Sequence, residues 1–336
     1  MNCGLPPLAP SAAAILARRA RAIRETWGGG GLPTTLPTVT TSYGGASAAA
    51  TWGPTVCPRV DLLACSTLRG GVSNVHLCYP AASPALHAVR NRLVIVHAGH
   101  SDSYIADRNP GTGGAYLTYR LLREGYHVLG VSMPTDGFNA SQSFAKLDAT
   151  PVTVTSHDFS VLVADGAKGL RFFVDGLIIA LNSALATLGF SHADAIGISG
   201  GAWTVEMVAA VDTRIRRSAS VFGSMPWELR AAMGGPGDNG DWEQLPTTAD
   251  IWRSWGREEV VYAAGCIDAG RRRVQLLGPS EPVFPTATVA DAVARYGAGI
   301  DAVVPTGQHE IRSSAATAHE YTDTDIEWLM DWLEAA

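Results

Sequence analysis

The pentapeptide Gly197-Ile198-Ser199-Gly200-Gly201 sets a serine hydroxyl between glycines two residues before and two residues after it. A serine alone is a weak nucleophile; it attacks carbonyl carbon when a base takes its proton and backbone N–H groups face the oxyanion that forms. Such work needs a sharp turn that exposes the side-chain oxygen, and the flanks can supply one. Residues 193–198 read as a short buried strand and residues 202–210 as a helix. A strand-to-helix turn of this kind drives Ser199 toward positive φ, a strain of about 1–3 kcal/mol. It also crowds the backbone, so glycine is required at 197 and 201. Gly200 then offers its N–H to a developing negative charge. With 36 glycines in 336 residues, chance supplies roughly 0.3 such pentapeptides. The surroundings must therefore carry the argument against a glycine-rich turn with a bystander serine.

From Val60 onward, strand-like and helix-like runs alternate. Residues 60–65 and 75–79 open the series, and 92–96 and 126–131 have the apolar continuity of strands buried on both faces. Residues 216–222, 273–277 and 300–304 read as later strands. Helical spacing marks 115–124, closed by Gly125, then 165–188, closed by Gly189, and the amphipathic 323–333. This alternation predicts an α/β fold, a mostly parallel central sheet with helices on both faces and right-handed crossovers. Ligands in that architecture bind at the carboxyl ends of the strands, which singles out the loops after Val96, Ile198, Leu277 and Val304.

Around that frame lie two less regular regions. Residues 1–57 read as a short helix followed by a Gly/Thr/Pro-rich arm, with Leu16, Ala20, Ile23 and Trp27 on one helical face, suited to packing on the main domain, to a partner or to self-association. Within the main domain, 58–336, residues from about 225 to 265 read as a cap-like insertion. Its Trp227, Trp242, Trp252 and Trp255 could line an acyl or sugar pocket or simply pack. A net charge of −6 argues against nucleic acid and anionic membranes as general partners. No unbroken run of 18 apolar residues occurs, so no transmembrane segment is expected. The arginines at 18, 19, 21 and 24 follow the apolar 12–17 stretch, the reverse of a secretory signal, which leaves a cytoplasmic location by default. Five cysteines form no C-x-x-C pair, and Cys57, Cys65 and Cys78 read as buried thiols before they read as a disulfide.

At this point the chain, over roughly residues 60–336, resembles the α/β-hydrolase superfamily of serine esterases and related acyl hydrolases. There the nucleophile, an acid and a histidine follow one another in that order. The resemblance implies Glu281 as the acid, in Gly278-Pro279-Ser280-Glu281-Pro282 after the 273–277 strand, although the family more often carries Asp. Asp268, Asp291 and Asp301 are rivals, placed by the predicted elements before a strand, within a helix and at a strand start. The base is expected at His309, in Pro305-Thr306-Gly307-Gln308-His309 after the supposed last strand; His319, ten residues on near the start of a helical run, is its rival. A second oxyanion donor is expected from His97-Ala98-Gly99-His100-Ser101-Asp102. Because Ala98 stands where an H-G motif has glycine, the register leaves either Gly99 or His100 to pair with Gly200. The H-x-x-H-x-D spacing there misses the H-x-H-x-D-H of metallo-hydrolases, so no metal or other cofactor is expected. The expected activity is hydrolysis of a carboxylic ester, of a small molecule or a glycan, through an acyl-enzyme; thioesterase and peptidase chemistry would use the same residues. A non-catalytic binding module attached through its N-terminal arm is the competing expectation.

Overall fold

The computed structural model of the chain describes residues 11–43, 55–82, 89–100, 113–139, 142–233, 241–245 and 250–335. Its strands are β1 (Thr38–Tyr43), β2 (Arg59–Ser66), β3 (Val72–Tyr79), β4 (Leu93–His97), β5 (His127–Val131), β6 (Gln142–Ala145), β7 (Pro151–Val154), β8 (Ala193–Ile198), β9 (Ile215–Val221), β10 (Arg272–Leu277) and β11 (His309–Ser313). Nine of them form one sheet in the order β1-β2-β3-β5-β4-β8-β9-β10-β11, and β6 and β7 pair separately. The first three strands run antiparallel to their neighbours, and the six from β5 to β11 are parallel.

The helices are α1 (Ala12–Trp27), α2 (Gly113–Arg123), α3 (Ser160–Ala164), α4 (Gly169–Leu188), α5 (Gly200–Val211), α6 (Trp227–Met233), α7 (Asp250–Trp255), α8 (Glu258–Cys266), α9 (Ala290–Asp301) and α10 (Asp323–Glu334). They cover both faces of the sheet, and β4 shows how its sequence serves both. Leu93 and Ile95 join the core built with α1, α4, α5, α8 and α9, whereas Val94 and Val96 join the core built with α2 and α10. That alternation of side chains is what a continuous β-branched run provides when both faces are buried. α4 is long and apolar enough to cross a membrane, but most of it is buried in the protein, which accounts for its composition.

Two expectations are corrected here. Residues 300–304 are not a strand: Ile300 and Asp301 are the last two residues of α9, and Val293, Tyr296, Ile300 and Val304 are buried at spacings of three to four residues, the period of a helix. The last strand is β11, an edge strand whose sequence His-Glu-Ile-Arg-Ser carries little apolar signal. The amphipathic N-terminal helix exists, and Ile23 and Trp27 pack against the core as expected, but Leu16 and Ala20 are exposed and the buried positions are Ile15, Arg19 and Ala22. Arg19 decides that rotation by pairing with Asp268 at 2.8 Å and donating to the Ala264 carbonyl. Arg18 donates to the Trp255 carbonyl at 2.7 Å, and Trp27 Nε1 donates to Asp175 at 2.7 Å. Further along the supposed arm, β1 extends the sheet by pairing antiparallel with β2 from Thr38↔Ala64 to Tyr43↔Arg59. In the 225–265 region Trp255 is buried in the core and Trp242 stacks on Phe173 with ring centroids 6.3 Å apart; the Trp252 side chain lies outside the described residues. Cys57, Cys65, Cys78 and Cys266 are buried free thiols, and Cys3 lies outside the described residues.

Candidate active site

Ser199 sits between β8 and α5 with φ 57° and ψ −129°, the strained turn its glycines imply. A Cβ at Gly197 would lie 2.2 Å from the Gly201 carbonyl oxygen, and one at Gly201 would lie 2.4 Å from that of His97. Neither contact can be relieved by a side-chain rotation, because backbone stands on both sides. The β4–β8 register, with His97 opposite Gly197, brings the loop after β4 against this turn.

The residues expected as acid and base are placed differently from the sequence expectation. Glu281 lies in the loop after β10, fully buried. Its Oε1 accepts from the Val283 N–H at 2.9 Å, its Oε2 accepts from the Phe284 N–H, and Oε1 also meets His319 Nδ1 at 2.8 Å. The His319 Nε2 atom is buried with no hydrogen-bond partner among the described residues. Phe222 links this pair to the serine: its ring lies 6.5 Å from that of His319. The following Gly223 passes so close that a Cβ there would lie 2.4 Å from the Ser199 carbonyl oxygen.

His309, the expected base, is not part of this cluster. It is the first residue of β11, at the amino end of a parallel strand and thus at the opposite edge of the sheet from the serine. Its Nδ1 bonds Asp301 at 2.8 Å, and burial together with the Arg273 charge pushes its pKa down to about 4, so it is a neutral structural histidine. The cause of the correction is the displaced last strand. Once β11 replaces 300–304, the loop that follows the strand holds His319. His309 and Asp301 instead border a cavity of about 500 Å³ between α9 and β11, a space that Ser199 does not line.

At the oxyanion loop, the Gly99 N–H donates to His97 Nδ1 at 3.2 Å. His97 is buried, and burial with the His100 and His157 charges lowers its pKa to about 3, so it accepts as a neutral ring. Gly99 is packed against the elbow: a Cβ on it would lie 3.2 Å and 3.3 Å from the backbone nitrogens of Gly201 and Gly200. The His100 ring covers Gly200, with Cε1 2.7 Å from where a Gly200 Cβ would stand. Asp102 lies outside the described residues. Beyond the motif, His100 Nε2 meets His157 Nδ1 at 3.0 Å and Asp241 Oδ2 at 3.2 Å. No local pattern announces that grouping, since its members are 57 and 84 residues apart along the chain.

The topology and the elbow define a class. The chain has the α/β-hydrolase fold. No protein-family model matches it, and no curated protein sequence matches it. Among solved structures it is similar to a candidate acetyl xylan esterase from Bacteroides fragilis, at 14% identity and a TM-score of 0.65, covering 98% of this chain and 90% of that one. It is also similar to an acetyl xylan esterase from Paenibacillus sp., at 12% identity and a TM-score of 0.57, covering 98% and 95%. A third is acetyl xylan esterase 1 from Thermoanaerobacterium sp., at 17% identity and a TM-score of 0.55, covering 96% and 94%.

Proposed function

We propose that the protein is a serine hydrolase that cleaves a carboxylic ester through an acyl-enzyme, with Ser199 as nucleophile, His319 as general base and Glu281 as the carboxylate partner of His319. The observation that carries the reading is the Glu281–His319 pair, whose buried Nε2 has no hydrogen-bond partner among the described residues, in loops that follow β10 and β11 at the same end of the parallel sheet as the strained Ser199 turn after β8. Glu281 accepts a hydrogen bond from the Nδ1–H and so keeps the Nε2 lone pair free to take the Ser199 proton; it then stabilises the imidazolium while the tetrahedral intermediate exists. Proton return from Nε2 to the leaving alkoxide gives the acyl-enzyme, and a water activated by the same nitrogen hydrolyses it. The oxyanion would be held by the Gly200 N–H and by one N–H of the loop after β4. Since the Gly99 N–H is already given to His97, His100 is the better candidate for that second donor.

Three structural neighbours named acetyl xylan esterases make a short acyl group on a glycan hydroxyl the first substrate class to try. The test is covalent labelling with a fluorophosphonate probe, comparing the wild-type chain with Ser199→Ala, followed by a p-nitrophenyl ester series and acetylated xylan. Labelling confined to the wild type, with turnover of acetyl esters, is the expected result. Labelling that persists in Ser199→Ala, or a wild type that never labels, would overturn the reading.

A further inference from the structure

We infer that His100, His157 and Asp241, with Glu243 beside His157, form a binding site for a divalent cation of the zinc class at the rim of the candidate active site. The side chains come from three segments: the loop after β4, the loop between β7 and α3, and the insertion between α6 and α7. Their ligating atoms converge, those of His100, His157 and Asp241 all within 4.8 Å of one another. Glu243 Oε2 stands 3.7 Å from His157 Nδ1.

Three of the spacings come near those of a coordination shell. Ligands held at about 2.0–2.2 Å in a tetrahedron stand about 3.3–3.6 Å apart. The observed separations are 3.0 Å for His100 Nε2 to His157 Nδ1, 3.2 Å for His100 Nε2 to Asp241 Oδ2, and 3.7 Å for His157 Nδ1 to Glu243 Oε2. Hydrogen bonds alone serve this cluster poorly. His100 Nε2 offers a single proton or a single lone pair, yet it faces both His157 Nδ1 and Asp241 Oδ2. The two imidazoles are also stacked, centroids 4.4 Å apart at 25°.

Glu243 gives an independent indication. Its side chain is fully buried and Oε2 has no hydrogen-bond partner among the described residues, a costly state for a carboxylate oxygen unless a cation faces it. Gln244 supports the acids from behind, donating to Glu243 Oε1 at 3.0 Å and reaching Asp241 Oδ2 at 3.5 Å, the outer-shell orientation that metal ligands commonly need. Two imidazoles with a carboxylate favour zinc and its transition-metal neighbours over magnesium or calcium, which prefer all-oxygen shells. Asp241 and His100 are partly exposed, at 46% and 35%, which leaves the ion a way in. A bound ion would tie the insertion to the loop that covers Gly200.

The test uses the full, tag-free chain stripped of metal with a chelator, then titrated with Zn²⁺ by calorimetry and with Co²⁺ by visible absorption. One ion per chain, Co²⁺ bands of tetrahedral intensity and a Tm that rises with Zn²⁺ are expected. Asp241→Asn and His157→Gln should each weaken binding by at least about 100-fold, with circular dichroism unchanged; the exposed position of Asp241 makes its variant the safer one to fold. Ser199→Ala should bind the ion as the wild type does, so this site stands or fails independently of the hydrolase reading. Absence of stoichiometric binding by the wild type, or wild-type affinity in both ligand variants, overturns the proposal.

Discussion

Replacing His319 and His309 one at a time separates a base from a structural histidine. His319→Ala removes the ring that meets Glu281 at 2.8 Å but leaves that carboxylate its two backbone donors, Val283 and Phe284, so no bare buried charge is created. The fold should survive at a cost of about 1–2 kcal/mol for one lost charge-assisted bond. Turnover should not. A general base contributes about 10²–10⁴, and members of an interdependent triad more, up to about 10⁶. A fall of about 10⁴ in kcat corresponds to about 5.4 kcal/mol of transition-state stabilisation. His309→Gln changes a side chain at the other edge of the sheet and should leave kcat within about threefold, because no reacting group depends on it. The assay is kcat for p-nitrophenyl acetate on both variants, with urea melts to establish folding. A His319 variant that retains a tenth of wild-type kcat while His309→Gln abolishes turnover would refute the placement of the base.

The same His309 sets a pH dependence of stability. Its folded pKa of about 4 lies below the ordinary 6.5 because burial and Arg273 outweigh Asp301, so its contribution is fully present above pH 6.5 and is lost as pH falls toward 4. Linkage makes the loss at pH 5 on the order of 2 kcal/mol, and urea melts of His309→Gln at pH 7.5 and pH 5 should show a flatter profile than the wild type. Gly201→Ala forces a Cβ to within 2.4 Å of the His97 carbonyl oxygen, displacing the loop after β4; kcat should drop about 100- to 1,000-fold, the worth of one oxyanion donor, and a fully active variant would contradict the close packing. Glu206→Gln leaves Arg273 buried without its carboxylate, which now lies 2.8 Å away; the urea midpoint should fall by the equivalent of about 3–5 kcal/mol. Glu281→Asp retracts the carboxylate by about 1.5 Å, too far to hold both backbone donors and His319, so its kcat should lie well below wild type and near that of Glu281→Gln.

How much of this was legible in the sequence varied with the strength of the local pattern. β4 and β8 announced themselves because both faces are buried and their sequences are largely apolar, and the elbow because backbone crowding leaves glycine no substitute. β11 did not: an edge strand reading His-Glu-Ile-Arg-Ser has one exposed side and charged residues, whereas the end of α9 carries Ile300, Val303 and Val304 close together and imitates a strand. That single displacement exchanged His309 for His319. Arg19 shifted the buried face of α1 part of a turn from the expected one for a similar reason, since its buried pairing with Asp268 depends on a residue 249 positions away. The His100–His157–Asp241 grouping was illegible in principle, because it is assembled by topology from loops that share no motif.

Glutamate at 281 makes structural sense once the loop geometry is considered. The chain after β10 turns back on itself so tightly that a Cβ on Gly278 would lie 2.6 Å from the Glu281 Cβ. The Glu281 N–H closes the turn on the Gly278 carbonyl at 3.3 Å. That turn fixes where the Glu281 backbone sits, and the longer side chain spans from there to the Val283 and Phe284 N–H groups and to His319 together. The carboxylate is thereby held by the loop as well as by the histidine. The place of this carboxylate is thus defined by where it is anchored, and Gly278, by permitting the tight turn, is as much a condition of the Glu281 position as Gly201 is of the Ser199 turn.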